Sequence, residues 1–343
     1  MNETTVLVRG GAGFIGSHLC ERLLIDGLRV VNIDNFNDYY SPETKRHNIL
    51  NALNNPNYQL CEGDIRDKDF LDKTFTEYQP DIVVHLAAMA GVQPSLENPK
   101  LYYDVNVIGS LQLLTCCAEH AVSKFVFASS SSVYGNIQTP FKESDNTDNS
   151  ISPYASTKKA AEVLCHVFHS INGMSVHCLR FFTVVGPRQR PDLAVHKFVK
   201  AINDGYPIQL RGEVSSSRDY TSVYDIVDGV MSSISKVLES NQPEFKVYNL
   251  GNSYPVRLDQ MLQTIEEVIG KKAIVEYVSH MKGDVDSTYA DISLASKELG
   301  YSPQRSFLDA VKSFVEWFME SMKESQLSTK SLAKERGSFA DSQ

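Results

Sequence analysis

Tyr154 and Lys158 are the residues whose types and spacing best fit acid–base chemistry. They lie four positions apart in SPYASTKKAAEVL, which predicts a helix beginning near Pro153 with both side chains on one face. An ammonium beside a phenol favours the phenolate and lowers the pKa of the tyrosine. A serine from the run SSSSVYG, at the end of a predicted strand, could hold the same substrate hydroxyl. Such a set removes an O–H proton while hydride passes from carbon to a nicotinamide.

The pair Y-x-x-x-K occurs on many exposed helices, so its meaning depends on a nucleotide site elsewhere in the chain. TVLVRGGAGFIGSHLCERLLIDGLRVVNID predicts a strand, a glycine turn, a helix and a second strand. Gly10, Gly13 and Gly16 permit a tight turn, close approach of a pyrophosphate and close helix packing. The helix N-terminus favours the phosphates. Asp34, at the end of the second strand, can accept hydrogen bonds from an adenosine ribose, which favours NAD over NADP. The alternative is an α/β turn that needs its glycines only for packing, but this alternative does not explain the position of Asp34.

Strands and helices alternate through the first half of the chain. The strands are predicted at residues 5–9, 29–33, 58–62, 81–86 and 124–129, and the helices at 15–26, 68–75, 103–119 and from 153. This order predicts an α/β protein with a Rossmann-like, doubly wound parallel sheet whose ligands bind at the carboxyl ends of the strands. The Ser-, Lys- and Glu-rich residues 320–343 are predicted to be a disordered tail.

Composition and charge exclude several classes of protein. The 343 residues are 42% hydrophobic and 22% charged, as in soluble globular proteins, and the net charge of −9 argues against nucleic acid or an anionic membrane as partner. No apolar run is long enough to span a membrane and no signal peptide is recognised, so a cytosolic location is expected. The six cysteines include no C-x-x-C pair, which favours reduced core thiols, and no metal site is predicted.

Many ordered motifs between residues 4 and 319 together resemble one family. They are GGAGFIGSHL, IDNFNDYY, GDIRD, HLAAMAGV, SSSSVYG, SPYASTKKAAE, RFFTVVGPRQRPDLA, RDYTSVYDIVDGV and the segment from GDV to TYAD. The chain resembles the extended short-chain dehydrogenase/reductases, within them the NAD-dependent nucleotide-sugar epimerase/dehydratase family. The likeness is greatest to UDP-glucuronate 4-epimerases and then to UDP-glucose 4-epimerases.

That resemblance implies an activity and an architecture. Tightly bound NAD takes hydride from C4, the 4-keto sugar turns over in the pocket, and hydride returns to the other face. The implied architecture is an NAD-binding Rossmann domain at residues 1–181, with later segments crossing back, and a smaller α/β nucleotide-sugar-binding domain at 182–319. A homodimer through a helix-pair interface is implied by the family alone.

The resemblance also assigns roles to individual residues. Tyr154 is implied as the base, Lys158 as its activator, and Ser130, four positions before Tyr134, as the partner of the sugar hydroxyl; Ser132 is a second candidate. The implied cofactor-binding residues are Gly10, Gly13, Phe14, Ile15, Gly16, Asp34, Asn35, Asp64, Ile65, Leu86, Ala87, Ala88, Tyr154 and Lys158. The implied substrate-binding residues are Ser130, Ser132, Thr183, Arg190, Arg218 and Asp284. For Asp64, capping of the following helix is an equal alternative.

The reaction and the sugar are chosen from a few residues. Dehydratases and decarboxylases of this family carry acids in patterns such as T-D-E-V-Y-G, where this chain has Ser131 and Ser132, so epimerisation is favoured. A C6 carboxylate calls for an arginine, and RQRPDLA supplies two, of which the resemblance selects Arg190. Gln93 stands where many relatives have arginine, so UDP-glucuronate is favoured over UDP-glucose only slightly.

Several positions depart from the family pattern. Arg9 replaces a threonine before the glycine turn, Val185 a tyrosine, Tyr224 an acid, and Met281 a residue that is often arginine, with Lys282 beside it. Together they suggest a divergent substrate pocket. A second hypothesis is a catalytically idle protein that binds NAD or a UDP-sugar as a sensor. The intact serine, tyrosine and lysine argue against it.

Overall fold

The computed structural model describes residues 4–211, 216–278, 285 and 287–340, with side chains to residue 323 except residue 211. In this part of the chain the strands are β1 Thr5–Arg9, β2 Arg29–Asp34, β3 Tyr58–Glu62, β4 Ile82–His85, β5 Lys124–Ser130, β6 Ser175–Phe181, β7 Thr183–Val185, β8 Ile208–Arg211, β9 Ser217–Ser222, β10 Phe245–Leu250, β11 Pro255–Arg257 and β12 Val275–Val278. The helices are α1 Phe14–Ile25, α2 Pro42–Asn48, α3 Leu50–Leu53, α4 Lys68–Tyr78, α5 Val92–Glu97, α6 Pro99–Tyr103, α7 Gly109–Glu119, α8 Pro153–Asn172, α9 Ala194–Asp204, α10 Val223–Glu239, α11 Leu258–Ile269, α12 Ser293–Leu299 and α13 Phe307–Ala340.

The main sheet is parallel and doubly wound. Its seven strands, all from the described residues, run in the order β10-β6-β5-β4-β1-β2-β3, and each neighbouring pair is parallel. The chain winds one way from β1 through β2 to β3 and the other way from β4 onward. The switch between β1 and β4 opens a crevice at their carboxyl ends, where ligands of such sheets bind. The predicted Rossmann-like fold is confirmed.

Alternate residues of β1 face two separate apolar cores. Val6 and Val8 pack in a core formed with α1 and α10, whereas Leu7 packs in a core formed with α4, α7 and α8. Burying one such side chain contributes roughly 1.5–3 kcal/mol. Because helices cover both faces, the polar groups that the sheet presents are gathered at the ends of its strands.

A smaller α/β part contributes the rest of the cavity. β7, β9 and β11 form one sheet, β8 pairs with β12, and α9, α11 and α13 enclose a third core that includes Phe198, Met261, Ile265 and Phe314. The chain is not divided at a single point, because β10 joins the edge of the main sheet and α10 packs on α1.

Three features differ from the sequence-based expectations. Residues 175–181, which no strand prediction covered, form β6 between β10 and β5 in the sheet. The single helix predicted over 103–119 is interrupted by a π-helical turn at Asp104–Ile108. α13 continues to Ala340 through the predicted disordered tail, and no Gly or Pro in residues 320–336 would stop it.

None of the helices in the described ranges combines the length and the apolar character needed to cross a membrane.

Candidate active site

The turn between β1 and α1 lies close to neighbouring backbone. Gly10 has a φ of +88°, and a Cβ there would strike the backbone of Ala87 after β4. A Cβ on Gly16 would strike the carbonyl of Gly10, so α1 can lie directly against the turn only because Gly16 lacks one. In this described segment α1 begins at Phe14 with no capping side chain and no acid in its first turn, which leaves its first amides for an anion.

Asp34 is fixed at the edge of the same crevice. Its carboxylate accepts hydrogen bonds from Ala12 N at 3.1 Å and from Phe36 N at 3.0 Å. Both Asp34 and Asn35 line the cavity. The acid predicted to face an adenosine ribose is therefore held rigidly beside the glycine turn.

Asp64 and Ile65 lie outside the cavity. Asp64 pairs with Arg66 at 2.7 Å and accepts from Asn35 Nδ2 at 3.0 Å, and the bond with Arg66 lowers the pKa of Asp64 to about 2. The cap of α4 is Asp67, which accepts from Phe70 N, so Asp64 does not cap it. Ile65 is buried in a core of the sheet. Asp64 therefore reaches the cavity only through Asn35.

The predicted chemical residues meet on one wall. Ser130 ends β5, Tyr154 and Lys158 lie on α8, and all three line the cavity together with Leu86, Ala87 and Ala88 from the end of β4. The Ser130 side chain lies near enough to Tyr154 to lower the pKa of the phenol. Lys158 Nζ donates to Ala128 O at 2.7 Å, which anchors the ammonium to β5. This wall, defined by Ser130, Tyr154 and Lys158, is called the catalytic wall below.

The residues at the start of α8 make the helix begin just before Tyr154. The Ser152 hydroxyl accepts from Ala155 N at 3.1 Å, and Pro153 occupies the first turn, where a missing N–H costs nothing. Tyr154 then lies in the first turn, and Lys158 one turn later on the same face.

Burial, rather than the lysine, dominates the electrostatics of the catalytic wall. Desolvation raises the pKa of Tyr154, and the Ser130 side chain and the charge of Arg190 oppose that rise. Burial also lowers the pKa of Lys158 to about 7, with Arg9 adding repulsion. The expectation that Lys158 lowers the pKa of Tyr154 is not met in this geometry, because Lys158 is bonded to Ala128 and desolvation outweighs the charges.

A buried polar network lies behind the catalytic wall. Arg180 and Glu162 form an ion pair at 2.9 Å with side chains 4% exposed, and Ser129 Oγ donates to Glu162 at 2.6 Å. Arg180 also donates to Tyr134 Oη at 2.9 Å, and Tyr134 donates to Asn249 at 2.7 Å. The network ties α8 to β5, β6 and β10. Sequence reasoning missed it; the one signal was an arginine inside the apolar segment SVHCLRF.

Loops and short strands around the cavity also carry two arginines, Arg190 and Arg218. Arg190 lines the cavity, and its Nε and Nη2 form a bidentate pair with Asp192 at 2.9 and 2.7 Å. Tyr39 donates to the same carboxylate at 3.1 Å. Arg218 and Thr183 also line the cavity. Arg190, Tyr39, Thr183 and Arg218 are called the substrate wall below; Asp192 holds Arg190 but does not itself line the cavity.

The remaining candidate residues differ in whether the fold places them at the cavity. Ser132 lines the cavity and donates its backbone N–H to Ser130 Oγ at 3.2 Å. Arg188 instead leaves the cavity and pairs with Glu21 on α1 at 2.7 Å. Asp284 lies outside the described residues.

Among the departures from the family pattern, Arg9 is the one described residue that lines the cavity. The residue is 5% exposed, and burial lowers the pKa of its guanidinium to about 10 against the attraction of Asp34 and Asp64. Val185 is buried in the third core, and Tyr224 packs against His18 outside the cavity. Met281 and Lys282 lie outside the described residues. Most of the described departures therefore do not reshape the cavity.

The walls enclose a cavity of about 450 Å³ that joins the glycine turn to the catalytic and substrate walls. Besides Arg9, Tyr39 and Asp192, sequence reasoning missed Lys45, whose ammonium lines the cavity and is held by Asn37 O at 2.6 Å. The tyrosines and lysine of IDNFNDYYSPETK were the available signal.

Comparison with known proteins places this geometry among nucleotide-sugar enzymes. The family model described as GDP-mannose 4,6 dehydratase matches residues 7–314. A UDP-glucuronate 4-epimerase of Thermodesulfobacterium geofontis is 38% identical, over 92% of this chain and 96% of that protein. The UDP-glucuronic acid 4-epimerase of Bacillus cereus, solved with UDP-glucuronic acid and NAD, is 34% identical with a TM-score of 0.87, over 92% of this chain and 99% of that one. The Thermotoga maritima UDP-glucose 4-epimerase, solved with UDP-glucose, is 30% identical with a TM-score of 0.84, over 93% of this chain and 100% of that one.

Proposed function

Because the chain belongs to the GDP-mannose 4,6 dehydratase family, whose model covers residues 7–314, we propose that it is an NAD-dependent UDP-hexose 4-epimerase. One observation carries the proposal: Ser130, Tyr154 and Lys158 line the same cavity as the glycine turn and two arginines, Arg190 and Arg218. The likeness to solved 4-epimerases over more than nine-tenths of the chain supports the same reaction.

NAD fits the residues of the crevice. The glycine turn and the uncapped start of α1 suit its pyrophosphate, and Asp34 suits its adenosine ribose. When bound, NAD would accept a hydride from C4 of the sugar and return it. Lys158, anchored on Ala128 O, would hold the nicotinamide ribose, and Leu86, Ala87 and Ala88 would border the cofactor, the two alanines with little side-chain bulk.

The catalytic wall supplies the proton steps. Tyr154 would take the proton of the C4 hydroxyl and give it back, and Ser130, which lines the cavity beside it, would hydrogen-bond the same hydroxyl and orient it. Asp34 is the one carboxylate among the described lining residues, and it lies at the adenosine end. A dehydration would need an acid near the sugar, so the lining favours epimerisation.

The substrate wall supports UDP-glucuronate ahead of UDP-glucose. Arg190 provides a guanidinium inside the cavity for a C6 carboxylate or a phosphate, and Arg218 provides one for the UDP half. Thr183 and Ser132 add hydroxyls that can contact the sugar. Asp284 is kept as a UDP contact on the family match alone.

A product assay tests this proposal. Purified protein with added NAD receives UDP-glucuronate, UDP-glucose and UDP-N-acetylglucosamine separately, and we expect conversion of UDP-glucuronate to its galacto epimer. Tyr154→Phe should lower kcat by roughly 10²–10⁴-fold with NAD binding retained, since general acid–base catalysis contributes that factor. Tyr277→Phe, at an exposed tyrosine of β12, serves as the matched control. Retained NAD binding with no conversion of any sugar would overturn the epimerase and favour the idle sensor.

We also propose a homodimer, with a second copy covering one side of the α7 and α8 pair. Val163, Val167 and Ile171 lie four residues apart on α8 with exposures of 52, 41 and 73%, and Ile108 and Leu111 are exposed beside them. Size-exclusion chromatography with light scattering should give a dimer. Val167→Lys should give a monomer, whereas Ile25→Lys, at the exposed last residue of α1, should not. A monomeric parent protein would contradict this interface.

The cytosolic location stays part of the proposal. Its support is the state of the cysteines: all six are free and five are buried, as expected in a reducing compartment.

A further inference from the structure

A cluster of three different metal-ligating side chains lies between α4 and α7, away from the cavity. Asp72 belongs to α4, and Cys116 and His120 lie four positions apart at the end of α7, so they share a helix face. None of the three lines the cavity. The proposed function therefore uses none of them.

Their ligand atoms converge on one point. Asp72 Oδ1 lies 3.2 Å from His120 Nε2 and 3.7 Å from Cys116 Sγ, and all three atoms lie within 4.8 Å of one another. With zinc bond lengths, a tetrahedral site has edges of about 3.3 Å between oxygen and nitrogen and about 3.6 Å between oxygen and sulfur. The observed separations match both edges.

We propose that Asp72, Cys116 and His120 form a binding site for one Zn²⁺-class divalent cation that clips α4 to α7. One thiolate, one imidazole and one carboxylate are the ligand types of zinc, whereas magnesium and calcium prefer oxygen alone. The fourth position would be taken by water, because the side chains of His120 and Asp72 are 25% and 38% exposed.

The residues around the cluster allow the cation to enter and the Cys116 thiol proton to leave. Cys116 is buried, so the ion would enter along the exposed edges of Asp72 and His120. Burial raises the pKa of the Cys116 thiol to about 12, with Asp72 and Glu119 adding to the rise and Lys68 opposing it. Zinc binds the thiolate form of cysteine, so the Cys116 thiol would release its proton to solvent when its sulfur binds the cation. The Phe75 ring packs against the His120 imidazole at 5.5 Å and limits its rotation.

The clip would act on stability rather than on chemistry. α4 and α7 cover the same face of the sheet, where Leu71 and Phe75 pack with Leu113 and Leu114. A cation bound only by the folded arrangement raises the midpoint of unfolding. Turnover should be unchanged, since the cluster does not touch the cavity.

Cobalt and zinc binding to the full chain provide the test. After chelator treatment and dialysis, the protein is titrated with Co²⁺, whose thiolate charge-transfer band reports a Co–S bond, and then with Zn²⁺ as competitor. We expect one ion per chain, displacement by Zn²⁺ but not by Mg²⁺, and a Zn²⁺-dependent rise in the unfolding midpoint. Cys116→Ser should abolish the band, and His120→Ala and Asp72→Asn should each weaken binding by more than about tenfold.

Matched variants keep the result interpretable. Cys117→Ser changes the next cysteine, buried in the same core, and Asp69→Asn changes an acid one turn earlier on α4; both should bind as the parent does. His120→Ala, at a partly exposed side chain, tests the site even if Cys116→Ser fails to fold. A band that survives Cys116→Ser, equal losses in the two control variants, or no ion bound would each overturn the site and leave a hydrogen-bonded helix contact.

Discussion

The two walls of the cavity are held by different kinds of interaction. The catalytic wall stands on regular elements and is backed by the Glu162–Arg180 pair, whose side chains are 4% exposed. The substrate wall stands on loops and short strands, where the side chains of Arg190 and Asp192 are 19% and 30% exposed. A buried network fixes one geometry, because any unpaired member would be costly. A partly exposed pair can be replaced at smaller cost, so one wall suits invariant chemistry and the other suits adjustable specificity.

Breaking the network behind the catalytic wall should have the largest effect. Glu162→Leu leaves the Arg180 guanidinium buried without its partner, and we expect a loss of about 3–5 kcal/mol in the free energy of unfolding. Urea unfolding measures it. Arg257→Ala, which removes an exposed pair with Asp259, should cost less than about 1 kcal/mol. Equal losses in the two variants would remove the distinction between buried and exposed pairs.

The titration of Lys158 sharpens the same contrast. Its pKa falls from 10.5 to about 7 through burial, so between these values the unfolded chain binds a proton that the folded chain has released. In nucleotide-free protein, Lys158 should therefore make the free energy of unfolding rise as the pH rises from 7 towards 10.5. Below pH 7 Lys158 is charged in the folded and the unfolded state, and the full cost of burying that charge lowers the free energy of unfolding. Relative to Lys158→Met, the parent should gain in urea midpoint between pH 7 and pH 9. Parallel curves for the two proteins would contradict the assigned burial.

On the substrate wall, Arg190 should change the sugar preference with little effect on stability. Arg190→Gln is made together with Asp192→Asn, so that no carboxylate is left without its arginine. Relative to Asp192→Asn alone, this double variant should raise KM for UDP-glucuronate about tenfold more than KM for UDP-glucose. Arg188→Gln, outside the cavity, should not change the ratio of the two KM values. An unchanged ratio of the two KM values in the Arg190 variant would show that Arg190 does not recognise the C6 carboxylate.

At the adenosine end, an effect no larger than that at Arg190 is expected. Asp34→Asn should weaken NAD binding by roughly tenfold, because its carboxylate lines the cavity and accepts two backbone hydrogen bonds. Asp64→Asn should weaken NAD binding less than about threefold, since Asp64 acts only through Asn35. Calorimetric titration distinguishes the two. A larger loss of NAD affinity in Asp64→Asn than in Asp34→Asn would show that Asp64 contacts the adenine directly.

The sequence by itself determined the fold class, the glycine turn with Asp34, and the placement of Tyr154 beside Lys158. These follow from local spacing: Gly10, Gly13 and Gly16 before a helix, Asp34 at the end of the next strand, and Tyr154 one helix turn before Lys158. These relations are fixed by helix and strand geometry, so they survive any choice of packing. The strand predicted at residues 58–62 coincides with β3 for the same reason.

Only the tertiary structure decided which charges face which. Arg188 and Arg190 are two residues apart, yet one pairs with Glu21 and the other lines the cavity. Desolvation, which depends on everything packed around Tyr154, reversed the expected direction of its pKa. The cysteine spacing predicted no metal ligands, whereas packing α4 on α7 brings Asp72 to Cys116 and His120 across 44 and 48 positions of sequence. Burial and long-range contact are properties of the folded chain, and no local pattern encodes them.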